Sequence, residues 1–356
     1  MMFSSLTRWA TTATTRRQMK PRTRLRAGLE DLERRECLST TVSLAGGTLN
    51  IVGDDAANNV AVYFRDSVND IRVQVDGVDH HFSSLQVQNL NVDLKGGDDG
   101  LYMQLGADSD TSAAMFDPKN MNIKLGDGND AAQIWFGGLS FPGRAIATNL
   151  NISLDAGLGD DDVTANFPEV QSGTLNYAAT LGDGNDRGFA GLWGSVGTGA
   201  TARLALSGDA GDDILNTYET YNGGYDNVNI SEGALLDVNV QGGPGNDQLN
   251  MTYGGNVRGK LQIRQDGGDG NDSIKGDIHL QGLNTGAVDA VFLGGNGRDG
   301  LRMEMYGSSR LFRGLIDGGG GFDRATGVGN VTIINANELI VTDPNGDVLS
   351  AIKKLA

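Results

Sequence analysis

The residues best equipped for chemistry are nine aspartates, each closing a short glycine-rich frame. They are Asp99, Asp130, Asp161, Asp186, Asp213, Asp247, Asp272, Asp299 and Asp323. Their separations of 31, 31, 25, 27, 34, 25, 27 and 24 residues average 28. The fullest frames are Gly242-Gly243-Pro244-Gly245-Asn246-Asp247, Gly267-Gly268-Asp269-Gly270-Asn271-Asp272, Gly294-Gly295-Asn296-Gly297-Arg298-Asp299 and Gly318-Gly319-Gly320-Gly321-Phe322-Asp323. Four frames lose one glycine of the leading pair. They are Leu125-Gly126-Asp127-Gly128-Asn129-Asp130, Ala156-Gly157-Leu158-Gly159-Asp160-Asp161, Leu181-Gly182-Asp183-Gly184-Asn185-Asp186 and Gly208-Asp209-Ala210-Gly211-Asp212-Asp213. Gly96-Gly97-Asp98-Asp99 reads as a copy lacking two residues, and Gly53 to Asn59 as a decayed copy.

If the frames stack in register, their carboxylates form a column at about 5 Å spacing, repelling by roughly 3 kcal/mol per neighbouring pair at an effective dielectric of 20. A divalent cation turns that repulsion into attraction. Calcium suits the residues best, because it takes about 6–8 oxygens in loose geometry, whereas magnesium keeps its waters and demands an octahedron. The frame glycines tolerate positive φ and can turn carbonyl oxygens inward. The expected ligands are therefore the closing aspartates and the frame glycines, one loop giving half a shell and the next coil the rest. Nine frames allow at most eight such sites. The competing reading is metal-free turns, in which Asn and Asp satisfy backbone N–H groups.

The elements that must carry these loops are strands. Apolar residues sit two positions before most frames (Leu94, Ile123, Leu154, Leu206, Val240, Phe292, Ile316) and two after the closing aspartate (Leu101, Val163, Leu215, Leu249, Ile274, Leu301). Gln265 breaks the first series. Alternation continues outward, the mark of strands with one buried face. A unit of strand, loop, strand and return turn, repeated many times, predicts an all-β, right-handed parallel β-helix or β-roll-like solenoid over residues 40–341. Loop frames of fixed length with variable far-side turns favour stacked coils over a hairpin meander, which would alternate as well. The segment Val328 to Val341 reads as a closing strand pair, residues 342–356 as a tail, and Gly188 to Ala200 as a flexible far-side loop.

The frame resembles the calcium-binding repeat of RTX (hemolysin-type) proteins, Gly-Gly-x-Gly-x-Asp-x-apolar-x. That resemblance implies calcium bound between successive turns of a parallel β-roll. Tandem repeats of that family recur about every nine residues. Here each frame is alone in a coil averaging 28 residues, so one calcium column along a single edge is expected.

Composition narrows the function. The chain has 356 residues, 54 of them Gly, with 37 Asp, 8 Glu and 29 Asn. These residues disfavour helix and favour turns. Residues 1–40 carry nine basic and four acidic side chains, while the remainder carries 19 basic and 41 acidic, giving +5 and −22. A body that acidic repels nucleic acid and anionic membrane surfaces and suits cations. No apolar run is long enough to span a membrane. Cys37 is the one cysteine, so a disulfide framework is impossible, and His80, His81 and His279 form no zinc-type cluster.

The basic segment 1–39 lacks the apolar stretch of an ordinary signal peptide. Its Leu29-Glu30-Asp31-Leu32-Glu33-Arg34-Arg35-Glu36-Cys37-Leu38-Ser39 resembles the N-terminal LEPR-XLL segment of planctomycete surface and secreted proteins, with Cys37 where that family usually has Leu. The resemblance implies export or surface sorting in a bacterium.

No Ser–His–Asp or Cys–His set is present, so no catalytic residue is assigned and a non-enzymatic role is expected. The alternative is a carbohydrate-active β-helix enzyme, of polysaccharide lyase or epimerase type, for which Arg258, Lys260 and Arg264 are the nearest basic cluster. Trp135-Phe136 and Phe189 to Trp193 are the main aromatic spots, read as core or coil-end packing, with sugar stacking as the other possibility. The expected product is an exported structural or adhesive solenoid with calcium as folding cofactor and extracellular matrix or glycan as partner.

Overall fold

The apolar alternation folds as two facing parallel sheets wound by one chain. The computed structural model describes residues 40–65, 68–105, 119–136, 145–217, 228–282, 284–342 and 348–353. The reading of residues 1–39 as a sorting segment lies outside them. Strand makes up 71% of the structure, in about eight turns of about 27 residues. No helix among the described residues is long and apolar enough to cross a membrane.

The first sheet stacks Thr48–Val52, Asn89–Asp93, Asn120–Asp127, Leu150–Leu158, Thr174–Asp183, Thr201–Ala210, Leu235–Pro244, Lys260–Gly270, Asn284–Gly297, Ser309–Asp317 and Val331–Ile334. The second stacks Asn59–Arg65, Gly100–Leu105, Ala131–Phe136, Asp162–Phe167, Arg187–Leu192, Ile214–Thr217, Gln248–Gly255, Ser273–Leu280, Gly300–Tyr306, Arg324–Val328 and Glu338–Thr342. Neighbours along these two stacks are parallel and in register. Each glycine frame carries the chain from the first sheet to the second. A short ladder of bridges, Val170 to Val196 to Ile230 to Val257, lines the far side.

Every flanking apolar residue expected to face inward is buried, from Leu94 and Leu101 to Leu301 and Ile316. Gln265 is buried too, between Val240 and Phe292 in register, and neither of its amide atoms has a hydrogen-bond partner. Its outward-facing neighbours cannot move in without breaking the period-two register of a whole strand, so the polar residue is carried inside.

Three local expectations need correction. The stretch Gly188 to Ala200 is no loose loop: Arg187–Leu192 is a strand, and Gly188, Ala190, Leu192, Val196 and Ala200 are buried. Val331–Ile334 and Glu338–Thr342 do not pair with each other. Each adds a rung to its own sheet, because both strands meet a parallel edge that is already in place. The supposed tail contains Val348–Lys353, antiparallel to Glu338–Thr342. At the other end, Thr41–Ala45 is antiparallel to Thr48–Val52, and Asp70–Val75 pairs antiparallel with both Asn59–Arg65 and Val78–Ser83.

Candidate metal-binding edge

Register brings every frame to one edge, position above position. Gly126, Gly157 and Gly182 align, followed by Asp209, Gly243, Gly268 and Gly295. Where the second and fourth frame positions are glycine there is a physical reason, Asp209 with φ +69° being an exception at the second. At Gly268 φ is +105°, and a methyl group placed there would lie 2.1 Å from the Gly243 carbonyl oxygen of the preceding coil. At Gly270 the corresponding approach, to the Gly245 oxygen, is 1.5 Å.

The same alignment corrects the earliest copies. The frame ending at Asp99 is not truncated: Lys95, with φ +84°, takes the second position beneath Gly126, and Leu94 the first. The decayed copy is a full six-residue frame, Gly53 to Asn58, with Asn58 in place of the closing aspartate and fully buried. Sequence matching read these copies as truncated and decayed because it looked for glycine: Lys95 takes the left-handed conformation without it, and neither Asp54 nor Ala56 in the first frame adopts positive φ.

All nine closing aspartates are buried. Each Oδ1 accepts the backbone N–H of the closing residue one coil earlier. Asn58 donates to Asp99, Asp99 to Asp130 and Asp130 to Asp161, all at 2.7 Å. The series continues without a break through Asp186, Asp213, Asp247, Asp272 and Asp299 to Asp323, at 2.7 to 3.0 Å. This much is what the metal-free reading expects of Asp in a turn.

The other carboxylate oxygen behaves differently. Oδ2 of every one of the nine is buried without a hydrogen-bond partner. Burial therefore raises the pKa of all nine, with nearby carboxylates adding to the effect. Asp99, Asp186, Asp213 and Asp272 rise to about 6. Asp161 and Asp247 rise to about 7, while Asp130, Asp299 and Asp323 move in the same direction.

In the loops whose first frame residue is glycine, Oδ2 lies against the space a side chain would fill. A methyl placed on Gly208 would sit 2.0 Å from Asp213 Oδ2 and 2.7 Å from the Gly242 carbonyl oxygen of the next coil. The corresponding distances at Gly242 are 2.2 Å to Asp247 Oδ2 and 2.5 Å to the Gly267 oxygen. Gly267, Gly294 and Gly318 repeat the arrangement with Asp272, Asp299 and Asp323. So in five consecutive loops an unpartnered carboxylate oxygen and a carbonyl oxygen from the neighbouring coil crowd the same small space. In the earlier loops Leu94, Leu125, Ala156 and Leu181 put a buried side chain at that position instead.

Among the described residues no three His, Cys, Asp or Glu side chains gather as a metal site. An ion at this edge would accordingly depend on backbone carbonyls as well as carboxylates. Calcium accepts such a set, and zinc does not. The convergent oxygens of the five glycine-first loops fit that requirement.

A second ladder, not anticipated, runs outside the first. Backbone N–H groups at the fifth frame position donate to the side chain below: Asn129 to Asp98, Asp160 to Asn129, Asn185 to Asp160, Asp212 to Asn185 and Asn246 to Asp212, at 2.7 to 3.0 Å. Asp and Asn alternate along this run, so each carboxylate has neutral amides as its neighbours. The alternation is visible in the sequence once the frames are aligned.

Other candidates settle elsewhere. Lys260 pairs with Asp289 at 3.6 Å and Arg264 with Asp266 at 2.7 Å, neutralising neighbouring acids. His80 and His81 stand on opposite faces, and His81 Nδ1 lies 3.1 Å from Asp70. A titratable group unnoticed in the sequence gathers on the second sheet near its C-terminal end. Arg302 bonds Glu304, the Tyr306 hydroxyl donates to Glu304 at 3.0 Å, and His279 stacks on Tyr306 at 4.7 Å. No family model matches this chain, nor does any curated protein or solved structure, so its reading rests on geometry.

Proposed function

We propose that this chain is a non-catalytic structural solenoid, exported or held at a bacterial cell surface, whose glycine-first loops bind calcium. The observation that carries the reading is the column of buried Oδ2 atoms without hydrogen-bond partners, five of them crowding a carbonyl oxygen of the next coil. Asp213, Asp247, Asp272, Asp299 and Asp323 would supply charge, and the carbonyls of Gly242, Gly267, Gly294 and Gly318 would supply neutral oxygens. Oδ1 keeps its N–H bond and continues to hold the coils in register. Bound calcium supplies positive charge between carboxylates that otherwise repel.

A metal that binds only the folded chain stabilises it by RT ln(1 + [L]/Kd). Calcium at extracellular levels would therefore tighten the solenoid after export, while low calcium inside the cell would leave it looser. The resemblances to RTX repeats and to the LEPR-XLL segment support this order of events.

The test is thermal unfolding at pH 8 after EDTA treatment, with calcium added back and magnesium as control. The expected result is a calcium-specific rise in melting temperature that shrinks when Gly267→Leu fills one of the five spaces. An unchanged melting curve, together with no heat of calcium binding, would overturn the metal assignment and leave the ladder as a hydrogen-bonding device alone.

A further inference from the structure

We propose that the outward face of the second sheet, over its first coils, binds an uncharged linear glycan, independently of the metal edge. Aromatic side chains gather on this face. Tyr63 and Tyr102 lie 5.8 Å apart, centroid to centroid, and the Arg72 guanidinium sits 4.3 Å over Tyr63. Two coils on, Trp135 and Trp193 meet edge to face at 6.5 Å. The Trp193 indole N–H donates to Asn166 Oδ1 at 2.6 Å, which fixes a ring that is 42% exposed. Phe189 lies across Gly191, where a methyl would come within 3.0 Å of both the Phe189 ring and the Asn166 amide oxygen. Of the aromatic spots that the sequence suggested as core or coil-end packing, Trp135, Phe189 and Trp193 lie outside the core. Phe136 does take that role, against Phe167, which in turn packs on Tyr177.

Between the rings the face is amide and hydroxyl. Register runs Ala61, Tyr102, Gln133, Thr164, Phe189 in one row and Tyr63, Gln104, Trp135, Asn166, Gly191 in the next. A groove of about 280 Å³ opens beside them, lined by Asn59, Ala61, Gln74, Tyr102 and Gln133 among others. The charges on these strands are matched: Asp162 lies opposite Arg187 in register, and Arg65 pairs with Asp70 at 3.6 Å. A chain of net charge −17 has thus kept one face close to neutral.

That combination selects its occupant. A pyranose offers an apolar C–H face for stacking on a ring and a rim of hydroxyls for amides. The coils repeat about every 4.8 Å, so rings and amides recur along one direction, as the units of a linear polymer do. An extended peptide fits less well. It gains affinity by adding to a sheet edge, and on a sheet face its own backbone N–H groups go unmet. An anionic glycan meets an acidic body and no cluster of unpaired cations here.

The experiment uses the full chain with cellohexaose and chitohexaose, followed by tryptophan emission and calorimetry, with oligogalacturonate as anionic control. One neutral hexaose is expected to bind and to shift the emission of Trp135 and Trp193. Tyr102→Ala and Trp135→Ala should each weaken binding about tenfold, and Gln133→Ala, which leaves every ring in place, several-fold. Tyr306→Ala, at the other end of the sheet, should leave binding unchanged. Melting curves identify any variant that has lost its fold, and Gln133→Ala then carries the comparison. The proposal is overturned if neither hexaose binds at millimolar concentration, if binding survives Tyr102→Ala and Trp135→Ala together, or if the galacturonate binds in preference.

Discussion

The N-terminal and C-terminal halves of the solenoid share a backbone and differ in almost everything attached to it. On the first sheet, the early coils present Asn89, Asn120, Asn151 and Asn176, each amide donating to the one before at 2.8 to 3.0 Å. Rows beyond that carry ion pairs instead, Arg203 with Asp237 and both Lys260 and Arg313 with Asp289. The second sheet changes the same way, from rings and amides to Arg302, Glu304, Asp277 and His279. At the edge, after Gly53, leucine and alanine fill the first frame position in the early coils, and from Gly208 on glycine leaves it to a carboxylate oxygen. The coil needs only period-two burial and left-handed turns. The remaining positions are free to specialise by region.

Protons and calcium should separate the halves. Burial raises all nine closing aspartates above their ordinary value of 3.8, in both halves, to about 6 at Asp186 and Asp272 and to about 7 at Asp161 and Asp247. Folded groups with raised values bind protons more tightly, so their stabilisation is complete below about pH 4 and is lost as pH rises through 6 to 7. Metal-free protein should therefore melt many degrees higher at pH 5 than at pH 8, the largest effect expected. Calcium at pH 8 should restore protection of the C-terminal coils alone, as read by amide hydrogen exchange.

Next in size, Gly268→Ala and Gly157→Ala drive a methyl into a carbonyl of the preceding coil at +105° and +113° φ. Each should cost on the order of 3 kcal/mol in chemical denaturation, since strain of this kind and overpacking add. Equal costs in the two halves would confirm that the turn geometry is shared. A C-terminal cost alone would break that part of the comparison.

Asp247→Ala removes the acceptor for the Asp213 N–H and should cost about 1–3 kcal/mol. Asp247→Asn keeps an acceptor oxygen and drops the charge, the column then holding a second neutral member beside Asn58. It should raise the metal-free melting temperature at pH 8 and reduce the gain from calcium. The matching change Asp161→Asn should raise it equally and leave the calcium gain intact.

Gln265→Met, replacing an amide with two unmet polar atoms by an apolar side chain of similar length, should stabilise by about 1–2 kcal/mol. Smallest of all, Asn151→Ala on the exposed amide ladder should cost no more than about 0.5 kcal/mol. Both are read from urea midpoints.

Much of this was legible in the sequence. The inward residues, the frames and the parallel stacking follow from period two and from the fixed loop length. What escaped notice depended on three-dimensional neighbours. Lys95 is left-handed because it lies below Gly126, and Asn58 belongs to the column because Asp99 accepts its N–H. Leu125 and Gly267 hold the same frame position, and only at Gly267 does Oδ2 lie where a side chain would go. The outward rings became a face only when register aligned five separate strands.

The antiparallel strands at the two ends have a consequence for assembly. Thr41–Ala45 and Val78–Ser83 close one end, and Val348–Lys353 closes an edge at the other. A parallel coil grows by templating its like, and an edge strand running the opposite way offers the wrong hydrogen-bond pattern for that. A stack of identical rungs is otherwise a seed for fibres. Antiparallel strands at these edges leave less parallel backbone for another coil to template on, and Val331–Ile334 stays as the parallel edge of the first sheet.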